Sequence, residues 1–241
     1  MNVFHGTDAY FGGTSPTAPA DLAAATEAPA ASDETSAAEN TEPAATAAAA
    51  PAAALPAPVD TEKSYKANAD DTENTPCEVG NYAADCSSID STNLIDYMDR
   101  DDVLFIDTRD FEDYVKKHFR NFEVIPYFAY IWNAEAHTNP DLIHLYGGTT
   151  TEPIPMYEES DKILEYLFPK DKTLFIMCQS GGRVRILMEI MEARGWDMSK
   201  VYNIGGLAQY SGSQYRDYMT DTPEFSISGE YSFEGLTPIE P

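Results

Sequence analysis

Cys178 and Arg183 are the two residues whose types and spacing point most directly to chemistry. The four residues between them are Gln179, Ser180, Gly181 and Gly182. An apolar run at 173–177 precedes them and apolar residues at helical spacing follow, so they are predicted to join a buried strand to the start of a helix. Unpaired N–H groups and the positive end of the helix dipole stabilise an anion at such a position. The sequence therefore predicts an anion-binding loop that contains a cysteine.

A cysteine in this setting is expected to act as a nucleophile. The thiolate is the nucleophilic form of cysteine, and both a helix N-terminus and the guanidinium of Arg183 favour it. Gly181 and Gly182 allow successive amides to point inward, and a persulfide on Cys178 would place its charged terminal sulfur in that nest. The alternative is an inert buried cysteine at the end of a strand. The coincidence of strand, cysteine, glycine pair and arginine favours the functional interpretation.

Strands and helices are predicted to alternate around this loop. Uninterrupted apolar runs at 103–106 and 173–177 are typical of strands buried on both faces, and 201–204 supplies a third strand. Apolar residues at helical spacing predict helices over 111–117 and 184–191. This alternation indicates an α/β fold, with a parallel sheet and helices on both faces.

The composition changes sharply along the chain. The predicted parts are a disordered spacer rich in Ala, Pro, Thr and Glu over 1–75, a short cysteine-containing lead-in over 76–90, a folded domain over 91–222 and a C-terminal tail over 223–241. The spacer contains too few large apolar side chains to offset the entropy of ordering. Within the domain, 127–159 is predicted to be a long irregular connection with one helical turn over 141–145. The tail is predicted to pack against the domain, and a short edge hairpin or a partner-binding strip around 225–233 is the alternative.

The charge and the histidines exclude several classes of function. A net charge of −26 argues against nucleic acid and anionic lipid as partners, since both require clustered Lys and Arg. No apolar run reaches the length of about 20 residues that a membrane span requires. The four histidines, at 5, 118, 137 and 144, include no pair at helical i, i+4 spacing, and the chain has no Cys-x-x-Cys. We therefore expect neither a metal site nor a cofactor.

The other two cysteines, Cys77 and Cys86, indicate the kind of cellular compartment in which the protein is expected. Eight residues separate them, enough for a small disulfide-closed loop in an oxidising environment, but two unrelated surface thiols are the alternative. A spacer of this composition tethers many bacterial surface proteins. We therefore expect an exported or cell-surface protein held through the spacer, with a cytoplasmic location as the alternative.

Three segments of the sequence resemble motifs of the rhodanese-like sulfurtransferases. They are the loop 178–183, a Cys-x4-Arg with Ser-Gly inside; Ile106-Asp107-Thr108-Arg109, continued by Phe111 to Tyr114 and His118; and 201–206, which is similar to the family's last strand with its Gly-Gly turn. They occur in the family's order and span about 90 to 210. The resemblance implies that the predicted domain over 91–222 is a single rhodanese module.

The resemblance also implies a reaction and roles for the residues. Cys178 would carry a persulfide, taking sulfur from a small anion such as thiosulfate and passing it to cyanide, a small thiol or a protein thiol. Arg183 and the amides of Gln179, Ser180, Gly181 and Gly182 would hold the transferred sulfur or the leaving sulfite. Asp107 and Arg109 are mainly architectural in the family, and they are assigned a supporting role.

Several features of this chain depart from the pattern of the family that it resembles. The residue after the nucleophile is often basic in active sulfurtransferases, whereas here it is Gln179, and 127–159 matches no family motif. Phosphatases and arsenate reductases of the same architecture use a longer Cys-x5-Arg loop, so the four-residue spacing favours sulfur chemistry. A non-catalytic binding or regulatory module with the same fold is the remaining alternative.

Overall fold

The computed structural model describes residues 54–66, 70–221 and 233–239. Predictions for 1–53, which hold most of the low-complexity spacer, lie outside the described residues. The predicted hairpin around 225–233 also lies outside them, except for Phe233. No helix within the described ranges is both long and apolar enough to cross a bilayer.

Short strands and helices alternate along the described chain. The strands are β1 (Ser64–Tyr65), β2 (Thr75–Pro76), β3 (Val103–Asp107), β4 (Lys117–Phe119), β5 (Glu123–Val124), β6 (Tyr146–Gly148), β7 (Pro153–Pro155), β8 (Thr173–Cys178), β9 (Val201–Gly206) and β10 (Met219–Asp221). The α-helices are α1 (Phe111–Lys116), α2 (Phe128–Ile131), α3 (Ser160–Leu167) and α4 (Gly182–Ala193). Short 3-10 helices lie at Ala84–Cys86, Leu94–Tyr97, Met198–Lys200, Leu207–Gln209 and Ser213–Tyr218.

Four parallel strands form the central sheet, in the order β5, β3, β8 and β9. Strands β3 and β8 pair along their length, with Phe105 opposite Phe175 and Ile106 opposite Ile176. Both strands are almost completely buried, and for this reason they appear in the sequence as continuous apolar runs. The predicted α/β fold with a parallel sheet is confirmed.

A hydrophobic core covers each face of the sheet. Successive side chains of a strand point to opposite faces, so Ile176 belongs to the core with α3 and α4, whereas Phe175 belongs to the other core. The second core is closed by residues of the 3-10 helices Leu94–Tyr97 and Ser213–Tyr218. Complete burial of a side chain such as Phe175 contributes about 1.5–3 kcal/mol. The sheet is therefore fixed from both sides, which holds the carboxyl ends of its strands in place.

The folded part begins earlier than the predicted boundary between residues 75 and 76. Residues 54–66, which we call the N-terminal strap, lie against the domain. The Tyr202 hydroxyl donates to the carbonyl of Pro56 at 2.6 Å, and the Ser88 amide donates to the carbonyl of Pro58 at 3.0 Å. The strap has too few apolar side chains for a core of its own, but Leu55 and Val59 pack against the two cores of the sheet. The prediction of a disordered spacer therefore does not hold for 54–66.

The segment 127–159 contains more regular structure than the sequence indicates. It forms α2 and an antiparallel hairpin of β6 and β7. The predicted helical turn over 141–145 is wrong: the amides of Asp141 and Leu142 are held in a turn by Asn139, and the amide of Leu145 donates to the carbonyl of Tyr130 at 2.8 Å. An Asn side chain that bonds to the local backbone offers an alternative to a helix.

The C-terminal part returns to the body of the domain. Strand β10 pairs antiparallel with β4, so the predicted domain end at 222 falls directly after a strand. Within 233–239, the amide of Glu158 donates to the carbonyl of Thr237 at 3.0 Å, and Pro238 pairs with Tyr157 in an isolated antiparallel bridge. The described part of the tail is thus packed against the residues that precede α3.

Candidate active site

The loop 178–182 lies at the carboxyl end of the central strand β8. Strands β3 and β9 flank it on either side. The amide and the hydroxyl of Thr108, just after β3, both donate to the carbonyl of Met177 at 2.9 Å. On the other side, Cys178 pairs with Gly206 at the end of β9. Ligands of open α/β sheets bind at this edge, so the loop occupies the position at which a site is expected.

The sulfur of Cys178 lies under the start of α4. Cys178 is 1% exposed, and the amide of Gly181 donates to its Sγ at 3.1 Å. Gly181 is the N-terminal cap of α4 and has a φ of +92°, a left-handed conformation that a residue with a side chain rarely adopts. The structure thus brings the thiol, a backbone donor and a helix N-terminus together, as the sequence predicts for a thiolate site.

Close packing explains the need for two of the glycines around the loop. A Cβ atom on Gly181 would lie 2.5 Å from the Cβ of Ala84, and one on Gly206 would lie 2.1 Å from the carbonyl carbon of Gln179. A Cβ on Gly182, in contrast, would meet no atom within 4 Å. The loop is therefore clamped between the 3-10 helix Ala84–Cys86 and the end of β9, while Gly182 faces open space.

The remaining loop residues lie at the outer side of the site. Gln179, Ser180 and Gly182 are exposed, and Arg183 is half-buried in the first turn of α4. The loop thus has a buried part, Cys178 and Gly181, and an outer part formed by the other four residues.

Asp110 is a charged residue near Arg183 that the sequence reasoning did not single out. Burial of its carboxyl raises the pKa of Asp110, although part of the residue is exposed, and the positive charge of Arg183 opposes this increase. Burial raises the pKa of Tyr130 as well, and the carboxylate of Asp110 adds to that effect. The charge of Arg183 thus acts on the carboxyl of Asp110, and the charge of Asp110 acts on the phenol of Tyr130 in α2. The available signal was the position of Asp110 directly after Arg109, at the N-terminal cap of α1.

Asp107 and Arg109 form a buried ion pair at the end of β3. Their side chains are 0% and 3% exposed, and the Arg109 guanidinium Nη2 lies 2.7 Å from the Asp107 Oδ2. The guanidinium also donates to the carbonyls of Asp113 at 3.3 Å and Lys117 at 2.7 Å. The pair therefore ties the end of β3 to α1 and to the first residue of β4. The supporting role assigned to Asp107 and Arg109 stays a prediction.

Cys77 and Cys86 form a disulfide, which resolves the two alternatives that the sequence left open. Both residues are buried, at 2% and 0% exposure. The segment that they close contains Ala84, whose side chain lies against Gly181. A disulfide remote from the loop in sequence is thus part of its support.

The three histidines in the described ranges, at 118, 137 and 144, interact with neighbouring groups of the domain. His118 stacks on the ring of Tyr114 with centroids 4.0 Å apart, and the Nδ1 of His137 accepts from the amide of Gly148 at 3.1 Å. Burial lowers the pKa of His144. Across the described ranges, no group of three His, Cys, Asp or Glu residues is arranged to hold a metal ion.

Comparison with known proteins identifies the family of this domain. A model of the rhodanese-like domain family matches residues 90–213, which is more than half of the chain. Among solved structures, the chain is similar to the solution NMR structure of the rhodanese-like domain of an Anabaena protein. That likeness has 12% sequence identity, a TM-score of 0.36 and coverage of 63% of this chain and 92% of the other. A search of curated proteins gave no match. On the family match, the chain belongs to the rhodanese-like domain family.

Proposed function

We propose that this protein is a sulfurtransferase that carries a sulfane sulfur as a persulfide on Cys178. The observation that supports this proposal best is the hydrogen bond from the Gly181 amide to the Cys178 Sγ at 3.1 Å, at the N-terminus of α4. A backbone donor and the positive end of a helix both stabilise negative charge on this sulfur. The rhodanese-like family includes sulfurtransferases as well as non-catalytic and phosphatase-like members, so the activity itself is our inference.

The first half-reaction loads the cysteine. The Cys178 thiolate attacks the outer sulfur of thiosulfate, an S–S bond forms, and the S–S bond of thiosulfate breaks with its electron pair leaving on sulfite. The product is the persulfide anion on Cys178, and the total charge is unchanged. The exposed amides around Gln179 and Ser180 and the guanidinium of Arg183 are the groups available to hold the sulfite as it leaves.

The second half-reaction returns the thiolate. A thiophilic acceptor, such as cyanide or the thiolate of a small molecule or protein, attacks the terminal sulfur of the persulfide. The S–S bond to Cys178 breaks with its electron pair on the cysteine, which regenerates the starting form. No cofactor or metal enters either step.

The loop length favours this reaction over phosphoryl or arsenate chemistry. Only four residues separate Cys178 from Arg183, and relatives that act on tetrahedral oxyanions use a loop that is one residue longer. Gly206 packs closely against the backbone of Gln179, so the short loop has no room to move toward β9. We therefore place sulfur transfer ahead of phosphatase and arsenate reductase activity.

Thiosulfate loading tests the proposal directly. Incubation with thiosulfate is expected to add one sulfur atom to the intact protein, and this sulfur should be released as thiocyanate by cyanide. Cys178 is the free cysteine of the chain, so Cys178→Ser and wild-type protein alkylated beforehand should both remain unlabelled. A wild-type protein without label, or a Cys178→Ser variant with undiminished label, would contradict the proposal and favour a non-catalytic module.

Gln179→Lys tests whether the missing positive charge limits thiosulfate as a donor. Gln179 is exposed beside the sulfur, and a charge about 4 Å from an anion contributes roughly 1 kcal/mol in water. We expect Gln179→Lys to increase kcat/KM for thiosulfate about five-fold at low salt, with a smaller increase at high salt because of screening. Steady-state rates at two ionic strengths measure this effect.

Gln214→Lys is the matched control for this prediction. It makes the same change in charge at an exposed residue outside the loop, so kcat/KM is expected to remain close to that of the wild type. An equal increase in both variants would attribute the effect to net charge. No increase in either variant would mean that the charge at residue 179 does not limit the reaction.

We also propose an exported or cell-surface location. The Cys77–Cys86 disulfide supports this proposal, because disulfides form and persist in oxidising compartments and are rare in the cytosol. The acceptor there would be a small thiol or a protein thiol.

A further inference from the structure

Asn203 is a buried polar residue in the middle of the apolar strand β9. It is 3% exposed, and its side-chain amide makes three hydrogen bonds. The Nδ2 donates to the carbonyl of Gly181 at 3.0 Å and to the carbonyl of Tyr82 at 2.8 Å, and the Oδ1 accepts from the amide of Gly205 at 3.0 Å. A polar side chain in such a place is costly unless it is satisfied. Here both of its donors and its acceptor are used.

These bonds fix the residue that contacts the sulfur. Gly181 donates its amide to the Cys178 Sγ, and Asn203 holds the carbonyl of the same glycine. The left-handed φ of Gly181 is one of several conformations that glycine can adopt, so glycine itself does not enforce it. Asn203 thus restricts the orientation of the backbone donor that faces the thiolate.

The second hydrogen bond of Asn203 joins it to the segment that the Cys77–Cys86 disulfide closes. Tyr82, whose carbonyl accepts from Asn203, lies between Cys77 and Cys86. Ala84 of the same segment packs against Gly181. The amide of Cys77 donates to the carbonyl of Lys63 and the carbonyl of Cys86 accepts from the amide of Asp60, so the N-terminal strap holds both ends of the segment.

We propose that Asn203 is a positioning residue for Cys178, and that the Cys77–Cys86 disulfide keeps it effective by holding the Tyr82 carbonyl beside it. The thiolate of Cys178 is stabilised by the Gly181 amide only while that amide points at the sulfur. The Gly181 carbonyl also accepts from the Arg185 amide of α4 at 3.1 Å, so loss of Asn203 or of the closed segment loosens Gly181 without releasing it, and the thiolate loses part of this stabilisation. The proposal takes Cys178 as the reactive thiol, as the proposed function does, but it does not depend on what Cys178 transfers.

Alkylation of Cys178 by iodoacetamide provides the test. Of the three cysteines in the chain, two are in the disulfide, so alkylation of the native protein reports on Cys178 alone. We expect Asn203→Ala to lower the alkylation rate at about pH 7 roughly ten-fold, which corresponds to ~1.4 kcal/mol and to the loss of one hydrogen bond to a charged group. At about pH 9.5, where a cysteine is ionised in either setting, the rate should change little. A loss of packing alone would not produce this change in the ratio of the two rates.

Ser160→Ala is the matched control for loss of a buried polar group. The hydroxyl of Ser160 is buried, donates to the carbonyl of Leu145 at 2.8 Å and accepts from the amide of Tyr157, in a part of the domain away from the loop. Its alkylation ratio is expected to match that of the wild type even though it is destabilised. Tyr82→Phe is a second control, because it keeps the backbone carbonyl that accepts from Asn203.

The Cys77→Ser/Cys86→Ser variant tests whether the disulfide is needed for Asn203 to position Gly181, because it leaves Asn203 in place. Its ratio of rates is expected to change in the same direction as that of Asn203→Ala, which keeps the test informative if Asn203→Ala does not fold. A wild-type ratio in Asn203→Ala, or the same altered ratio in Ser160→Ala, would contradict the role of Asn203. A wild-type ratio in the double serine variant would contradict the role of the disulfide. Because no thiosulfate is used, a protein that fails to form a persulfide can still pass or fail this test.

Discussion

Gly181→Ala is expected to lower the rate of persulfide formation on Cys178 by about a hundred-fold, the loss that follows from a displacement of roughly 1 Å in a reacting group. The new methyl group would lie 2.5 Å from the Cβ of Ala84 and 3.2 Å from the Oδ1 of Asn203. Real side chains do not approach so closely, so either the loop or the segment around Ala84 must move. Since the Gly181 amide donates to the sulfur, that movement removes the donor from Cys178.

Gly195→Ala separates the effect of this clash from that of backbone strain. Gly195 has a similar left-handed φ of +83°, but a Cβ there would meet no atom within 4 Å. The left-handed conformation alone costs a residue with a side chain about 1–2 kcal/mol. We expect Gly195→Ala to lose about that much free energy of unfolding in urea and to load sulfur at the wild-type rate. A Gly181→Ala protein that loads sulfur as fast as Gly195→Ala would show that the close packing at Gly181 is not needed for the reaction.

Local patterns in the sequence predict the elements that carry the site. Strands β3 and β8 are continuous apolar runs, and α4 has apolar residues at helical spacing, so each is recognisable within its own segment. The order strand, cysteine, glycine pair and helix then places the loop at the carboxyl edge of the sheet. The same local reasoning identifies the loop 178–183 as the candidate site.

The support of the loop depends on contacts that no local pattern reveals. The bond from Asn203 to the Tyr82 carbonyl joins residues 121 positions apart, and the bond from Tyr202 to Pro56 joins residues 146 positions apart. In both cases a backbone carbonyl is the acceptor, and every residue carries one, so the side chain at that position gives no signal. Helix α2 and the β6–β7 hairpin are missed for another reason. They are only three or four residues long, too short to display a period.

Asp107→Asn is expected to lower the free energy of unfolding by about 3–5 kcal/mol, the usual cost of removing one partner from a buried ion pair. The Arg109 guanidinium would remain buried and positively charged, with a neutral amide in place of the carboxylate. The backbone would be affected too, because an oxygen of Asp107 accepts from the Arg109 amide at 3.0 Å and the guanidinium holds the carbonyl of Lys117. Urea unfolding of the purified variant measures this loss.

Asp171→Asn is the matched control, because it makes the same change of residue in an exposed ion pair. The Asp171 carboxylate is 78% exposed and lies 3.9 Å from the Lys172 ammonium, an arrangement worth at most about 1 kcal/mol. Replacing both members of the buried pair with apolar residues should recover only part of the stability, because the carbonyls of Asp113 and Lys117 would still lose the donors that Arg109 provides. If Asp107→Asn costs no more than Asp171→Asn, then the buried pair does not hold the end of β3. Thr108, which bonds to the residue before Cys178, would then depend on other contacts for its position.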